Sequence, residues 1–365
     1  KELNLIEEEK IKIILKQNTP EPIRNIYGDE FIFNEFHEII DSLNITDWET
    51  YKSTLRIGKK SRLNEAKRNQ MWNIFQPVLI YLSQENLVTE YQMFNKAADK
   101  LMNMKYKPYQ HVIVDECQDI NASQLRLISG LAGLDSNSLF FAGDLGQRIF
   151  QKPFSWLKYG VDIRGRSKTL RINYRTSHQI RRRADTLLDP ETIDADGNIQ
   201  DRREALSVFN GPEPKIKNLD NRKQEIDFVS NWLQKCISQG LAPREIGVFV
   251  RDYSELIHAE NALKKTTLPF EILKSTDLKL TSKITLTTMH LAKGLEFKAV
   301  VIMACEEDII PSAKRMKAVT DETELEEVLN SERNLLYVAC TRAREILLIT
   351  SGKKSSEFID DLMLN

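Results

Sequence analysis

Several features that are typical of particular classes of protein are rare or absent in this sequence. It has only four cysteines, and no two have CxxC or metal-ligand spacing: Cys117, Cys236, Cys305 and Cys340. A reduced, cytoplasmic setting is the simplest expectation from that pattern. No apolar run approaches the roughly 20 residues that span a bilayer, and the charged first residues lack the shape of a signal peptide. No membrane partner is therefore expected.

Net charge is also nearly absent. The 52 lysines and arginines balance 53 aspartates and glutamates, which leaves a formal net charge of −1. Bulk charge therefore gives no indication of nucleic-acid binding, and any such binding must depend on a local patch. Hydrophobic residues make up 41% of the chain, which is enough to form a core, and the length suits two or three domains. Because the first residue is lysine, we expect the sequence to begin inside a longer protein.

Two kinds of periodicity divide the chain. Up to about residue 107, apolar residues recur at three- and four-residue spacing, which predicts helices. The basic stretch RIGKKSRLNEAKR (56–68) within this region is most simply a solvated surface, and a contact with a phosphate backbone is the alternative. From residue 111, short apolar strands alternate with helices, which predicts an α/β fold with parallel sheets. The polar segment 189–214 separates two such blocks.

The stretch VIVDECQDIN (112–121) contains the first group of candidate residues. An apolar strand ends in Asp115 and Glu116, and such a pair can hold Mg²⁺ with one carboxylate and orient an attacking water with the other. A solvated turn is the ordinary alternative for two acids after a strand. Gln118 and Asp119 make the pattern more specific, since their side chains can link the metal site to the neighbouring strand.

A second strand, in FFAGDLGQRIF (140–150), ends in Gly143 and Asp144 and is soon followed by Gln147. A neutral amide near a strand tip can bind a terminal phosphate and lose that contact on hydrolysis. Taken alone, the motif is an ordinary Gly-Asp turn. It becomes informative because it lies about 30 residues after the acidic motif.

Three further motifs supply groups that suit a nucleotide. In LRINYRTS (170–177), the ring of Tyr174 can stack on a base and Arg175 can neutralise phosphoryl charge. In TTMHLAKGLEF (287–297), Gly294 permits close backbone approach and Glu296 can accept a hydrogen bond from a ribose hydroxyl. In NLLYVACTRARE (334–345), Arg342 is the candidate arginine finger, whereas Arg344 is equally well explained as a solvated charge.

These five motifs, in this order, resemble those of UvrD/Rep-like superfamily 1 helicases over roughly residues 105–350. The resemblance implies two RecA-like P-loop-NTPase lobes with parallel sheets that bind ATP and Mg²⁺ between them and step 3′-to-5′ along single-stranded or partly duplex DNA. It implies that Asp115 serves Mg²⁺ and that Glu116 is the catalytic base. The remaining roles follow from the same motifs: Gln147, Arg175 and Arg342 at the γ-phosphate, Tyr174 on adenine, Gly294 and Glu296 at the nucleotide, and Thr288, His290 and Lys293 in DNA contact or coupling.

The resemblance also predicts the division into domains. Residues 1–107 are expected to be a helical insertion of the first lobe, and residues 108–188 the remainder of that lobe. Residues 189–214 would connect it to a second lobe at 215–365. Only about 30 residues, 252–282, stand where the family often inserts a large subdomain, so a compact second lobe is implied.

The sequence departs from the family at the phosphate loop and at the DNA-stacking aromatic. None of the 14 glycines lies in GxxxxGK[ST]; Gly58-Lys59 and Gly352-Lys353 both lack the first glycine. The first lobe is therefore expected to be incomplete, and the chain alone to hydrolyse ATP weakly or not at all. Where the family often has a stacking aromatic, this chain has Lys152, and Trp156 is the candidate stacker or, equally, a packed core residue.

Three functions remain open on the sequence. The favoured one is an ATP-dependent DNA helicase seen without its phosphate loop, which a segment upstream or a missing N-terminal lobe would supply. The alternative is a non-hydrolysing DNA-binding or scaffold subunit that acts with a protein partner such as a nuclease. A metal nuclease that uses the acids of the first two motifs is less consistent with the order of the motifs.

Overall fold

A computed structural model describes residues 3–54, 63–133, 137–149, 154–189, 191–193, 199–201, 206–275, 281–317, 319 and 322–363. These residues form two compact units, one within 1–144 and 150–167, the other within 145–149, 168–193 and 199–365. Most of the basic stretch 56–68 and Lys152 lie outside the described residues. Within the described part of the chain, no helix is long and apolar enough to cross a bilayer.

Helices dominate the first unit, as the periodicity of its sequence indicates. They are α1 (Glu8–Asn18), α2 (Glu21–Tyr27), α3 (Asp29–Glu35), α4 (Trp48–Ser53), α5 (Glu65–Gln84), α6 (Glu90–Met102) and α7 (Ala122–Leu131). Side-chain caps fix where several of them begin: Thr89 and Gln92 form a reciprocal capping box on α6, and Asn121 and Gln124 form one on α7. A core that includes Phe75 of α5 and Phe36 of the short π-helix Phe36–Asp41 holds α1–α5 together.

The first unit also contains four short strands in two parallel pairs. They are β1 (Asn4–Leu5) with β2 (Leu87–Val88), and β3 (Val112–Val114) with β4 (Leu139–Phe141). Ile113 pairs with Phe140 across the β3–β4 ladder, and these side chains are 76% and 62% exposed. Parallel strands are normally covered on both faces. The described residues therefore leave apolar strand surface of this pair uncovered.

The second unit is built on a six-stranded parallel sheet in the order β11-β12-β10-β13-β14-β9. Its strands are β9 (Lys215–Asn218), β10 (Ile246–Val250), β11 (Phe270–Ile272), β12 (Ile284–Thr288), β13 (Phe297–Ile302) and β14 (Ala343–Ser351). Before them come β5 (Ile172–Asn173), β6 (Glu191–Ile193), β7 (Ile199–Asp201) and β8 (Leu206–Ser207). The last three lie in the segment expected to be a polar connector, because extended polar residues can pair through their backbones.

Helices cover both faces of the large sheet. They are α8 (His178–Asp185), α9 (Arg222–Ser238), α10 (Leu256–Thr266), α11 (Ala313–Lys317), α12 (Glu322–Cys340) and α13 (Glu357–Met363). Successive strand residues point to opposite faces, so Val248 packs with α9 and α10 whereas Phe249 packs with α8, α12 and α13. The central strand β10 is consequently apolar throughout, and the expected α/β class with parallel sheets is confirmed.

A buried carboxylate ties several of these elements together. Glu225 on α9 contacts Nε2 of His258 on α10 at 2.7 Å, and it accepts hydrogen bonds from the Thr350 hydroxyl (2.6 Å) and the Ala304 backbone N–H (2.9 Å). Burial alone raises the pKa of this carboxyl group, but the hydrogen bonds from His258, Thr350 and Ala304 together hold its pKa below the usual range. The carboxylate therefore stabilises the packing of both helices on the sheet.

We predict that Glu225→Gln lowers the free energy of unfolding by about 1.5–3 kcal/mol at pH 7, the range for hydrogen bonds to a charged group. A lowered folded-state pKa gives stability that is present above the unfolded value, about 4.3, and is lost as pH falls through the folded value. Urea titration should therefore show a smaller difference between variant and wild type in acid than at pH 7.

Glu260→Gln provides the matched control, because it removes only the i,i+4 pair with Lys264 on α10. Its expected effect is below about 0.5 kcal/mol. An equal loss for Glu225→Gln at pH 7 and in acid would contradict the stabilising role of the carboxylate.

Candidate functional site

In the first unit, the tips of β3 and β4 bring the acidic motif and the Gly-Asp motif together. Asp115 and Glu116 follow β3 and are exposed, and Asp144 follows β4. Because the strands are parallel, their carboxyl ends lie at one edge, where ligands of α/β sheets bind. The Cys117 N–H donates to the Ala142 carbonyl at 2.9 Å, which holds the two tips in contact.

The backbone at Glu116 adopts an unusual conformation. Its φ of 52° and ψ of 38° lie in the left-handed region, which costs a non-glycine residue about 1–3 kcal/mol. Its N–H donates to Oδ1 of Asp115 at 2.8 Å, and its carbonyl accepts from the Asp119 N–H at 2.9 Å. The turn thus presents two adjacent carboxylates in a conformation that the sequence alone does not favour.

The chemistry of these groups suits a magnesium ion shared with a phosphate. Mg²⁺ prefers one or two carboxylates together with water and phosphate oxygens, and does not need a cage of protein ligands. The described residues contain no group of three His, Cys, Asp or Glu side chains that could hold a metal by themselves. Burial raises the pKa of the adjacent Cys117 thiol to about 11, so this group stays protonated near neutral pH.

In the second unit, three candidate residues meet around the loop of Gln147. The guanidinium of Arg342 is 1% exposed and donates through Nη2 to Oε1 of Gln147 at 2.9 Å. Its Nε donates to the Val338 carbonyl in the last turns of α12, at 3.1 Å. Nζ of Lys293 donates to the Gln147 backbone carbonyl at 2.6 Å. A guanidinium and an amide that were predicted from separate motifs are therefore in direct contact.

A second cluster of candidate residues lies on the surface of the same unit. Glu296 is in ion-pair contact with Nε of Arg175 at 3.1 Å and with Nε of Arg344 at 3.5 Å. Tyr174 beside it in sequence is 70% exposed, and Gly294 has φ +81°, which a glycine adopts without strain. Exposed ion pairs are worth roughly 0–1 kcal/mol, so a nucleotide could displace these contacts at little cost.

The turn after β12 carries the remaining candidates of this unit. Thr288 is buried at the strand end, and His290 lies near the charges of Arg251, Arg315 and Glu332. Burial first, and the positive charge of Arg251 second, lower the pKa of His290 to about 4. The imidazole is therefore neutral around pH 7.

Sequence reasoning missed the ion pair beneath this turn. The side chain of Arg251 donates to both carboxylate oxygens of Glu332, at 2.7 and 2.5 Å, and Arg315 donates to the same carboxylate at 2.7 Å. Both members of the first pair are buried. The sequence did contain an indication of this pair, because Arg251 directly follows the fully apolar strand IGVFV and is therefore expected to be buried. A buried arginine needs a charged partner.

Trp156, the candidate stacker, belongs to the first unit and has aromatic neighbours. Its ring meets Phe141 of β4 edge-on at 4.7 Å and lies stacked near Phe154 at 6.5 Å. The side chain is partly buried. It therefore has the contacts of a packing residue while one part of its surface stays accessible.

Profiles of two helicase domains match this chain. The UvrD-like helicase C-terminal domain matches residues 168–278 and 274–354, which together cover just over half of the 365 residues. The UvrD/REP helicase N-terminal domain matches residues 3–152. All candidate site residues except Trp156 lie inside these ranges.

Relatives of the chain carry helicase names. A Mycoplasma pneumoniae protein described as "Probable DNA helicase" is 25% identical over 271 residues, 73% of this chain and 48% of that protein. The ATP-dependent DNA helicase PcrA of Staphylococcus epidermidis is 49% identical over 69 residues, 19% of this chain and 9% of PcrA. The chain thus spans about half the length of the first relative and matches a small part of the second.

One solved structure, the C-terminal domain of a "possible DNA helicase" from Lactobacillus plantarum WCFS1, is also similar in part. It is 19% identical, and the alignment covers 52% of this chain and 94% of that one. The TM-score of 0.37 is too low to bear on the fold.

We predict that His290 titrates with a midpoint near pH 4. Between about pH 6.5, the ordinary value for the unfolded chain, and pH 4, the unfolded chain binds a proton that the folded chain does not. His290 therefore makes stability fall as pH falls through this window. NMR titration of the imidazole, assigned by loss of its signal in His290→Asn, measures the midpoint. The same variant should flatten the pH dependence, and a midpoint above 6 would contradict the prediction.

Proposed function

The chain belongs to the UvrD-like helicase family, and we propose from that membership that it acts as an ATP-dependent 3′-to-5′ single-stranded DNA translocase or helicase. The contact between Arg342 and Gln147 is the observation that best supports ATP hydrolysis at this site. Both side chains are suited to a terminal phosphate, and they are hydrogen-bonded to each other. A phosphate oxygen accepts a stronger, charge-assisted hydrogen bond than an amide does, so the guanidinium would exchange the amide for the phosphate.

Each candidate residue has a role in this proposal. Bound ATP and Mg²⁺ would supply the phosphoryl group that is transferred. They would also carry the largest charges in the site. Asp115 would hold the metal, and Glu116 would take the proton of the attacking water. Arg175, Arg342 and Gln147 would bind the terminal phosphate, with Tyr174 on adenine and Glu296 on the ribose beside Gly294. Thr288, His290, Lys293 and Trp156 would contact DNA or couple it to the nucleotide.

The phosphate loop would come from a segment outside these 365 residues, either upstream in the same polypeptide or in a partner. Within the 365 residues, no glycine lies in GxxxxGK[ST]. The exposed apolar pair Ile113–Phe140 supports this part of the proposal, because uncovered parallel strands favour burial under another segment. The helical residues 1–107 and the block 108–188 would then be parts of one lobe, joined by 189–214 to a second lobe at 215–365, in a cytoplasmic protein.

A DNA-binding or scaffold subunit that does not hydrolyse ATP and works with a nuclease is the second candidate. The reading frame upstream of Lys1 separates the two, because a phosphate-loop motif there supports the enzyme and a native start near Lys1 supports the scaffold.

We predict that Arg342→Ala lowers DNA-stimulated ATP turnover by about 10³-fold or more in the natural full-length protein, since arginine fingers contribute about 10³–10⁵ to phosphoryl transfer. Steady-state release of phosphate with saturating single-stranded DNA measures the change. Arg182→Ala is the control, because that side chain lies on the surface of α8 and pairs with Glu213. Turnover that is equal in Arg342→Ala and wild type would rule out the finger.

We also predict that residues 1–365 alone release phosphate from ATP weakly or not at all, with or without DNA. The reason is that these residues lack the phosphate loop, whose backbone N–H groups and lysine bind the triphosphate. The assay is repeated after a phosphate-loop segment is restored by co-expression or fusion, and Mg²⁺-dependent turnover should appear. Glu116→Gln in the restored protein should lower it strongly, to a small residual rate that single-turnover assays can still measure. Robust turnover by the 365 residues alone that Glu116→Gln removes would contradict the proposal.

A further inference from the structure

The side chain of Gln118 bridges two parts of the acidic site. It is 4% exposed and follows the two candidate carboxylates in the turn after β3. Its Nε2 donates to Oε2 of Glu116 at 2.5 Å, and its Oε1 accepts from the backbone N–H of Asp144 at 3.0 Å. One amide thus connects the candidate general base to the tip of β4.

Only one orientation of the amide satisfies both contacts. An ionised carboxylate can only accept hydrogen bonds, and a backbone N–H can only donate one. The amide nitrogen must therefore face Glu116 and the amide oxygen must face Asp144. A glutamate in this place would keep the acceptor for Asp144 but bring a second negative charge to Glu116, and a methionine of similar size would supply neither contact.

Gly143 provides the space that the amide occupies. A Cβ at this position would lie 2.4 Å from Oε1 of Gln118 and 2.6 Å from Sγ of Cys117, closer than real Cβ atoms approach other atoms. Gly143 is not among the residues with positive φ, so its backbone does not itself require glycine. The missing side chain, and not a special dihedral angle, is what the site needs there.

The backbone of Glu116 is strained, and the bridge from Gln118 bears on how its side chain is held. A residue held in the left-handed region persists only where its surroundings fix it. The backbone contacts of Glu116 fix its main chain but leave the direction of its side chain undetermined. The hydrogen bond from Gln118 fixes the direction of the carboxylate.

We propose that Gln118 is a positioning residue, a clamp that aims the Glu116 carboxylate at the attacking water and ties it to the Asp144 backbone. The proposal rests on the function proposed above. Asp144 immediately precedes the loop that carries Gln147, the candidate phosphate sensor. A movement of the Asp144 N–H would release the amide oxygen, and the amide could then turn away from Glu116.

Kinetics of the natural full-length protein test the catalytic part of the clamp. Gln118→Met should lower kcat for DNA-stimulated ATP hydrolysis by about 10–100-fold, since misplacing a reacting group by about 1 Å can cost 10²-fold. KM for ATP should change less than about twofold, because the Gln118 side chain is buried and its amide contacts Glu116 and Asp144. Gln118→Glu should also be slow, as it removes the donor and adds a like charge.

A double-mutant cycle separates positioning from general damage. If Gln118 acts through Glu116, adding Gln118→Met to Glu116→Gln should lower kcat no further. A further drop of the full size seen in wild type would overturn the proposal, and so would an unchanged kcat in Gln118→Met alone. Gln70→Met, at an exposed position on α5, is the matched control and should keep wild-type kcat.

Hydrogen exchange tests the clamp without any activity. In residues 1–365, the Asp144 amide should exchange at least about 10-fold faster in Gln118→Met than in wild type, whereas Gln118→Glu keeps the acceptor and should protect it. Gly143→Ala should also speed exchange by displacing the amide. Equal exchange in wild type and Gln118→Met would overturn the clamp. A wild-type full-length protein that fails to hydrolyse ATP would instead reject the proposed function, while this measurement still decides the clamp.

Discussion

Complete burial of parallel strands is the constraint on which the second unit depends. A strand that packs against helices on both faces has apolar side chains in both directions, so β10 and β12 are buried along their whole length. Neither strand carries a charged side chain, and the polar side chains within β12 are threonines. Arg251, His290 and Glu306 each follow the carboxyl end of a strand. Other candidate residues lie at the opposite edge of the sheet, since Glu296 directly precedes β13 and Arg342 directly precedes β14.

In the first unit, the parallel strands are not buried on both faces. There the β3–β4 pair keeps the apolar sequence of a covered sheet, yet Ile113 and Phe140 are exposed among the described residues. The strand tips nevertheless keep a specific geometry, with Glu116 in the left-handed region and the Gln118 amide fitted against Gly143. Local hydrogen bonds can therefore hold the acidic turn together while the apolar surface of its strands remains uncovered.

The type of each element could be predicted from the sequence more readily than the pairing of its charges. Alternating blocks of apolar strands and helices predict the α/β class, since periodicity depends only on local sequence. The bond from Gln118 to Asp144 spans 26 residues and the pair of Arg251 with Glu332 spans 81. Such contacts are set by how strands stack in space, which periodicity does not encode. The short strands of the segment 189–214 were missed for a related reason, because they pair through backbone groups that every residue carries.

The turn after β12 connects two groups of charged side chains in the second unit. At one end of this turn, His290 lies near the buried Arg251–Glu332 pair, and Glu332 belongs to α12. At the other end, Lys293 binds the backbone of Gln147, whose side chain accepts from Arg342 just beyond the end of the same helix. A shift of α12 relative to the sheet would strain both ends at once, because a buried ion pair resists separation. Arg342 and His290 are thus both connected to α12, Arg342 through the Val338 carbonyl and His290 through its position near Glu332.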